Sequence, residues 1–186
     1  MQNIQPVNPG QPGAAASALA TVKSELGAVP NIFATMAQSP AAVDAYLAFS
    51  GALAAGVLGT VTREQIALAV AGESKCNYCA SAHTALAKNL GLSASEATLN
   101  LAGASNDVRT AAILDFAREI VATRGRVDAD VLTGLRATGV TDEEIVEIIA
   151  TVCLNLFTNY FNHIANTEID FPFVTTASWT RPSDFL

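Results

Sequence analysis

Helix-forming residues run through almost the whole of this chain, and glycine or proline interrupts them at intervals. Valine and isoleucine fall mostly at three- to four-residue spacing, and no convincing run alternates apolar and polar residues as a half-buried strand does. At 186 residues the chain is long enough for one domain with a core of its own. We therefore predict a single all-α domain, a bundle of packed helices.

Capping signals and helix breakers place the expected helices. Proline at a first helical position begins one helix at Pro40, and capping signatures begin others at Thr62, Ser93 and Thr141, while Ser74 is expected to cap the helix that follows it. The stretch 41–59 is the nearest to a membrane span, but its polar and glycine residues favour a buried core helix. The other helices are predicted at 14–26, 32–38, 62–71, 74–90, 108–123, 128–136 and 142–164.

The two ends of the chain differ from its middle. Residues 1–13 are polar and proline-rich, which predicts a loose segment and no signal peptide. Residues 14–165 form the predicted domain. Residues 166–186 are expected to be extended and to pack on their own body or on a neighbouring subunit, because they carry apolar side chains at Phe171, Phe173, Trp179 and Phe185.

Charge is scarce in this sequence. Only 15% of residues are charged, against about 25% in an average soluble domain, and 51% are apolar. This composition predicts a homo-oligomer whose subunits cover part of the apolar surface. The net charge of −7, with no basic patch, argues against nucleic-acid and membrane partners.

The motif Cys76-Asn77-Tyr78-Cys79, followed by His83, carries the chemistry. Two thiols three residues apart can close a short disulfide loop, and a histidine four residues after the second thiol lies on the same helical face. The positive end of the helix and the adjacent Lys75 favour a thiolate, and His83 can accept a proton from Cys79. The sequence shows no secretion signal, which predicts a cytoplasmic protein. In such a protein a CxxC pair is more often catalytic or metal-binding than structural.

Glu64 is the candidate third member of this group, as a carboxylate that orients the imidazole. In one straight helix Glu64 would lie about 22 Å from Cys79. A proton relay therefore requires the chain to fold back at residues 72–74.

The sequence of Glu64, eleven intervening residues and Cys-x-x-Cys-x-x-x-His resembles the AhpD-like alkylhydroperoxidases of the carboxymuconolactone decarboxylase family. The segment Gly27-Ala28-Val29-Pro30-Asn31 resembles their longer, peroxidase-related branch. The resemblance implies an all-α oligomer, a trimer or a hexamer, that reduces hydroperoxides. It also implies that Glu64 and His83 relay protons and that Cys76 and Cys79 are the redox pair. A dithiol reductant or an adaptor protein would re-reduce that pair.

In the mechanism that we expect, Cys79 attacks the peroxide and Cys76 resolves the product to a disulfide. The reverse order is the alternative, because Cys76 is nearer the helix start, which favours a thiolate. The best-known relatives have a histidine immediately before the second cysteine, where this chain has Tyr78. A phenol of pKa near 10 cannot replace an imidazole as a base at neutral pH, although it can donate a hydrogen bond.

Other functions remain open at the level of sequence. The pair could serve as a thiol–disulfide reductase. Cys76, Cys79 and His83 could bind zinc with Glu64 or His163, and the same family includes decarboxylases. No phosphate loop, haem motif or flavin signature is present, so no cofactor is expected. Cys153 is expected to be a small buried apolar residue.

Overall fold

The computed structural model describes residues 1–10 and 12–176, and within them the chain is all-helical, with no strand. Nine helices form over these residues: α1 (Ala16–Leu26), α2 (Asn31–Met36), α3 (Pro40–Ala54), α4 (Thr60–Glu73), α5 (Asn77–Asn89), α6 (Ala94–Leu101), α7 (Val108–Thr123), α8 (Ala129–Ala137) and α9 (Asp142–Ala165). The all-α prediction is confirmed. Trp179 and Phe185, which were expected to pack as part of the tail, lie outside the described residues.

Helix α4 is the central element of the bundle, and it packs against α5, α6, α7 and α9. Its residues from Gln65 to Gly72 are all buried, and most of them are small or aliphatic. Gly72 was expected to end this helix but lies inside it. A Cβ on Gly72 would stand 1.9 Å from the carbonyl oxygen of Leu101, so glycine is needed there for the close approach of α6.

Buried side chains form two groups on either side of α4. The cysteine-side cluster consists of Ala18, Leu19, Val22, Ile32, Phe33, Met36, Ala37, Val43, Leu68, Ala71, Cys76, Tyr78, Cys79, Ala80, Ala87, Ala97 and Leu101. The aliphatic cluster consists of Leu58, Ile66, Ala69, Val70, Ile113, Leu114, Phe116, Ala117, Ile120, Leu135, Val140, Ile145, Ile148 and Val152. Helix α4 contributes side chains to both clusters, which is why it is apolar on two sides.

Some local signals gave the helix ends correctly. Thr141 and Glu144 form the full capping box at the start of α9, and Ser93 caps α6 by accepting a hydrogen bond from the Glu96 N–H. The predicted box at Thr62 is wrong, because α4 begins at Thr60 and Gly59 is its N-cap. Glu64 therefore lies within α4, with its side chain turned to another helix.

The expectation of a buried core helix at 41–59 is also wrong. In α3 only Val43 is buried, and most of the helix faces outward with alanine and Phe49 on its surface. Within the described chain, α9 is the helix that is long and apolar enough to cross a membrane. In its apolar 18-residue stretch, 39% is buried inside the protein. Length and composition of this kind are also found in core helices, so this is weak evidence for a membrane span.

The first residues and the segment after α9 both pack on the bundle. The N–H of Asn3 donates to the carbonyl oxygen of Ala165 at 2.7 Å, and the N–H of Val7 donates to that of Ala34 at 2.9 Å. Residues 166–176 leave the end of α9 without regular structure and run across the start of α5. The bundle therefore holds both segments next to the cysteine-side cluster.

Candidate active site

The cysteine pair lies at the beginning of α5. Cys76 is the N-cap residue, Cys79 lies three residues later, and the two form a disulfide with their Cα atoms 5.3 Å apart. Ser74, which was expected to cap this helix, is instead the C-cap of α4. The chain turns between the two helices through Lys75, whose φ of 56° lies in the left-handed region.

The helix start favours negative charge on these sulfur atoms. The N–H of Cys79 donates to Sγ of Cys76 at 3.2 Å, so Cys76 caps the helix with its own sulfur. Unpaired N–H groups and the positive end of the helix dipole stabilise a thiolate at such a position. Both cysteines are buried, at 1% and 2% exposure, so solvent does not bathe the disulfide.

His83 and Glu64 form an ion pair beside the cysteines. The turn at 72–76 folds α5 back along α4, and Nδ1 of His83 donates to Oε1 of Glu64 at 2.7 Å. The fold-back that a relay requires is therefore present. Burial acts to lower the pKa of His83, but the charge and hydrogen bond of Glu64 together raise it above the ordinary value. When the imidazole is neutral, this contact holds its proton on Nδ1 and leaves Nε2 free to accept a proton.

A cavity of about 350 Å³ opens onto Cys79 and His83. Cys76 is not among its lining residues, so Cys79 is the sulfur that a molecule in the cavity meets. The remaining wall is mostly apolar: Val22, Leu26, Ala28, Val29, Pro30, Ile32, Phe33, Tyr46, Leu47, Ala82, Ala85, Leu86 and Phe171. The cavity is therefore shaped for an uncharged organic molecule.

Tyr78 has a structural position in this wall. Its hydroxyl donates to Oδ1 of Asp170 at 2.8 Å and accepts from the N–H of Ile32 at 3.1 Å, and its ring meets Phe171 edge-on. Burial, together with Asp170, raises the pKa of Tyr78. Tyr78 therefore stays protonated at neutral pH and ties the start of α2 to the segment after α9.

Tyr46, across the cavity, is also held as a neutral phenol. Burial first, and then the charge of Glu64, raise the pKa of Tyr46 to about 12. The wall near His83 thus contains a hydroxyl that can donate a hydrogen bond at any physiological pH.

Residues 166–176 form a strap over the cysteine helix. Val174 donates its N–H to the hydroxyl of Ser81 at 2.9 Å, and Thr176 donates to Oδ1 of Asn77 at 2.9 Å. Asp170 also accepts the N–H of Asn31 at 2.8 Å. The strap is thus bound to the first turns of α5, and among the described residues the cavity is an opening that reaches Cys79.

Sequence reasoning missed one polar residue in contact with sulfur. Asn162 of α9 is buried, and its Nδ2 donates to Sγ of Cys79 at 3.4 Å. The signal that could have revealed it is a series of amides inside an apolar helix, at Asn155, Asn159 and Asn162. Such groups are seldom buried without a structural or functional reason.

Other candidates lie away from the cavity. His163 is exposed on α9 and does not line the cavity. Cys153 is exposed too, so the expectation of a buried apolar residue is wrong: it lies on the outer face of α9. Over the described ranges, no three His, Cys, Asp or Glu side chains stand together as a metal site.

Known proteins resemble this chain in sequence family and in fold. Residues 40–123 match the carboxymuconolactone decarboxylase family, in agreement with the resemblance seen in the cysteine motif. None of the curated proteins matches the chain by sequence. Three solved structures of similar fold share 24% identity or less with the chain, so they show the fold alone.

Two of these structures are peroxidase-related proteins. One, from Silicibacter sp. TM1040, is 24% identical over 90% of this chain and 91% of its own, with a TM-score of 0.78. The other, described as an alkylhydroperoxidase AhpD core protein from Ralstonia eutropha JMP134, is 24% identical over 91% of this chain and 94% of its own, with a TM-score of 0.79. A third is the debrominase Bmp8, whose C82A variant was solved with 2,3,4-tribromopyrrole. It is 19% identical over 90% of this chain and 91% of its own, with a TM-score of 0.77.

Proposed function

Because residues 40–123 carry the pattern of the carboxymuconolactone decarboxylase family and the fold is AhpD-like, we propose that this protein is a cysteine-dependent thiol peroxidase. Its substrate is an organic hydroperoxide, and its redox centre is the pair of Cys76 and Cys79. The carrying observation is the joint presence of Cys79 and the His83–Glu64 ion pair at one cavity.

The first step uses the reduced pair. His83 takes the proton of the Cys79 thiol, and Glu64 stabilises the imidazolium that forms. The thiolate attacks the terminal oxygen of the hydroperoxide and the O–O bond breaks. The alkoxide leaves with the electron pair and takes the proton from His83, which gives an alcohol and a sulfenic acid on Cys79.

The second step closes the disulfide. Cys76, as a thiolate at the helix start, attacks Sγ of Cys79, and the displaced hydroxide is protonated to water. A dithiol then reduces the disulfide through a mixed disulfide and becomes oxidised itself. Because both sulfur atoms are buried and the strap is bound to the first turns of α5, the reductant has to enter through the cavity or displace residues 166–176.

Tyr78 takes no proton in this scheme. Its hydroxyl is already bonded to Asp170 and Ile32, and its raised pKa keeps it neutral. His83 therefore acts as the base without a second imidazole, and Tyr78 keeps the wall of the cavity in place. A thiol–disulfide reductase acting on proteins is less well supported, because a protein disulfide would have to reach buried sulfur.

A second candidate is reductive dehalogenation of a halogenated aromatic compound. The mostly apolar cavity beside Cys79 suits a flat apolar ring, and one protein of this fold is a debrominase solved with a brominated pyrrole. The same pair of thiols supplies the two electrons that this reaction needs. Two thiols become one disulfide, the carbon–bromine bond becomes a carbon–hydrogen bond, and bromide and a proton are released.

We propose a homo-oligomer of this chain, assembled through the outer face of α9. Large apolar side chains recur there at three- to four-residue spacing and are exposed: Val146, Ile149, Phe157, Tyr160 and Ile164, with Cys153 among them. The carboxylate of Glu147 is turned aside to the N–H groups of Val57 and Leu58, so no charge interrupts the stripe. Two such faces can pack as antiparallel helices.

Light scattering tests this assembly. The wild type is expected at a multiple of the chain mass, and Ile149→Glu is expected to dissociate it, while Glu143→Gln at the exposed start of the same helix is not. A monomeric wild type would contradict the proposed assembly.

We further propose that the protein is cytoplasmic, where reduced dithiols are available.

A thiol titration tests the peroxidase. Reduced wild-type protein is expected to lose two thiols per chain with one equivalent of cumene hydroperoxide and to regain them with dithiothreitol. In Cys79→Ser the remaining thiol of the pair, Cys76, is expected not to react. Unreactive thiols with stoichiometric zinc would favour a metal site instead. Bromide release from a bromopyrrole without loss of thiols to hydroperoxide would favour the second candidate.

A further inference from the structure

Asn162 is the polar group in contact with the sulfur that the cavity exposes. Its Nδ2 lies 3.4 Å from Sγ of Cys79, and its side chain also lines the cavity. Only 5% of the residue is exposed, so most of its side chain is shielded from solvent. The end of α9 is thus brought to the cysteine helix at the point where a substrate would enter.

The other end of this amide is unpaired. Within residues 1–10 and 12–176, Oδ1 of Asn162 is buried and accepts no hydrogen bond. Buried polar atoms nearly always have a partner, so an unpaired acceptor on a residue that lines the cavity points to a donor supplied by a bound molecule. A hydroperoxide has such a donor in its O–H group.

The contact of Nδ2 with sulfur also depends on redox state. The sulfur of a disulfide is a weak acceptor, whereas a thiolate is a charged one, and hydrogen bonds to charged acceptors are about twice as strong as neutral bonds. Donation by Nδ2 therefore stabilises reduced, ionised Cys79 more than the disulfide. The effect on Cys79 is the same in sign as that of the helix start on Cys76.

We propose that Asn162 is a further catalytic residue of this site, whose Nδ2 stabilises the Cys79 thiolate while Oδ1 accepts the O–H of the hydroperoxide. One carboxamide then holds both reacting atoms, sulfur and the terminal oxygen, next to each other. This assignment rests on the proposed peroxidase function for its substrate half, and its thiolate half stands on the contact with sulfur.

The chemistry balances with Asn162 in place. The electron pair of Sγ forms the S–O bond, the O–O bond breaks, and the alkoxide takes its proton from His83. The terminal oxygen keeps its hydrogen, so Oδ1 of Asn162 holds the same O–H before and after the transfer. Asn162 is neither oxidised nor reduced and gives up no proton.

Asn159, one turn earlier on α9, provides a matched control. It is also buried, and its Oδ1 is also unpaired within the described chain, but its Nδ2 donates to the carbonyl oxygen of Asn155 at 2.6 Å. It does not line the cavity and does not contact sulfur. The same substitution at the two positions therefore separates a role at sulfur from the general cost of losing a buried amide.

The experiment compares Asn162→Leu with Asn159→Leu in full-length protein carrying Cys76→Ser and Cys153→Ser, so that Cys79 is the single thiol. The pH dependence of iodoacetamide alkylation gives the pKa of the Cys79 thiol, and stopped-flow kinetics give its rate with cumene hydroperoxide. The isosteric Asn162→Asp serves if the leucine variant does not fold. The other titratable groups facing this site stay unchanged in every variant: Glu25, Tyr46, Glu64, Tyr78, His83 and Asp170.

Asn162→Leu is expected to raise the pKa of Cys79 by about one unit and to slow the reaction with hydroperoxide about 10- to 100-fold, the range for a hydrogen bond to a charged group. Asn162→Asp is expected to raise that pKa further, and Asn159→Leu to change neither quantity. An unchanged pKa and rate in the Asn162 variants would overturn the proposal. If the pKa of Cys79 rises in Asn162→Leu but the protein does not react with hydroperoxide, the role of Nδ2 at sulfur is supported. The role of Oδ1 toward substrate and the peroxidase function are then both refuted.

Discussion

The two core clusters lie on opposite sides of α4 and are built from different side chains. Counted over the described residues, six of the seventeen members of the cysteine-side cluster are alanine, against two of the fourteen members of the aliphatic cluster. The cavity opens on the first side, and no member of the aliphatic cluster lines it. None of the six alanines lines the cavity, which is bounded by larger members of that cluster such as Val22, Ile32 and Phe33. Branched side chains fill the other side of α4, which stabilises the fold.

Matched leucine substitutions test this difference most strongly. Leu114 is fully buried in the aliphatic cluster, whereas Leu86 is half-buried on the cavity wall. Leu114→Ala is expected to lower the free energy of unfolding by about 3 kcal/mol, because it leaves a new void in a filled core. Leu86→Ala is expected to cost less than about 1.5 kcal/mol, because it enlarges space that already exists.

Urea unfolding of both variants measures the two costs. Leu86→Ala should also accept a bulkier hydroperoxide than the wild type, while folded Leu114→Ala should keep the wild-type preference. Equal losses of stability would mean that the two clusters are equally well packed, and the comparison would fail.

The His83–Glu64 pair predicts a chemical effect with a defined pH dependence. Removing the carboxylate in Glu64→Gln leaves only burial, which lowers the pKa of His83, so thiolate formation at Cys79 is expected to slow by about tenfold. The stopped-flow rate with hydroperoxide measures this loss. Asp44→Asn removes the same negative charge at an exposed position, so it is the control and should leave the rate unchanged.

The same variant changes stability in a direction that follows from the pKa. The folded pKa of His83 is raised, so its contribution is fully present below the unfolded value of about 6.5 and is lost as pH rises through the folded value. The difference in unfolding free energy between wild type and Glu64→Gln should therefore be largest between about pH 5 and 6.5. A difference that grew toward alkaline pH would show that His83 is not held by Glu64.

Tyr78→Phe removes the hydroxyl that joins α2 to the strap. It leaves the Ile32 N–H unpaired and removes the hydrogen bond to Oδ1 of Asp170, whose Oδ2 still accepts from Asn31. The expected cost is about 1 to 2 kcal/mol in unfolding free energy. The folded variant should still form the disulfide with hydroperoxide, because Tyr78 transfers no proton in our scheme. Loss of peroxide chemistry with unchanged stability would instead make Tyr78 part of the reaction.

The smallest expected effect lies far from the cavity. Thr141→Ala removes the capping box of α9 and should cost about 1 kcal/mol of stability, with no change in the thiol pKa values. Thermal unfolding and the alkylation profile measure the two. A shift in thiol reactivity would show that the start of α9 influences the cysteine-side cluster at its other end.

Local signals predicted most of the fold. The bounds of α7 and the cap of α9 follow from residues within a few positions of each helix end, and the structure agrees with both. The errors arise where a role depends on distant neighbours. Gly72 does not end a helix. Glycine is needed there because Leu101 of α6 approaches closely, and only the folded bundle shows that contact.

The candidate site divides in the same way. The spacing of Cys76, Cys79 and His83 is local, so the sequence revealed these three together. Asn162 and Asp170 reach the site from 83 and 92 residues away, and no short motif joins them to it. Surface exposure was equally hard to predict: Cys153 lies in an apolar stretch, but it falls on the outer face of α9.

The most direct test of the peroxidase function uses Cys76→Ser, which keeps the attacking thiol and removes the resolving one. One equivalent of cumene hydroperoxide is predicted to add a single oxygen atom to Cys79, trapped by a sulfenic-acid reagent and located by peptide mass spectrometry, with one equivalent of cumyl alcohol formed. No oxygen on Cys79, or alcohol formed only in Cys79→Ser with the oxygen on Cys76, would contradict the proposed mechanism.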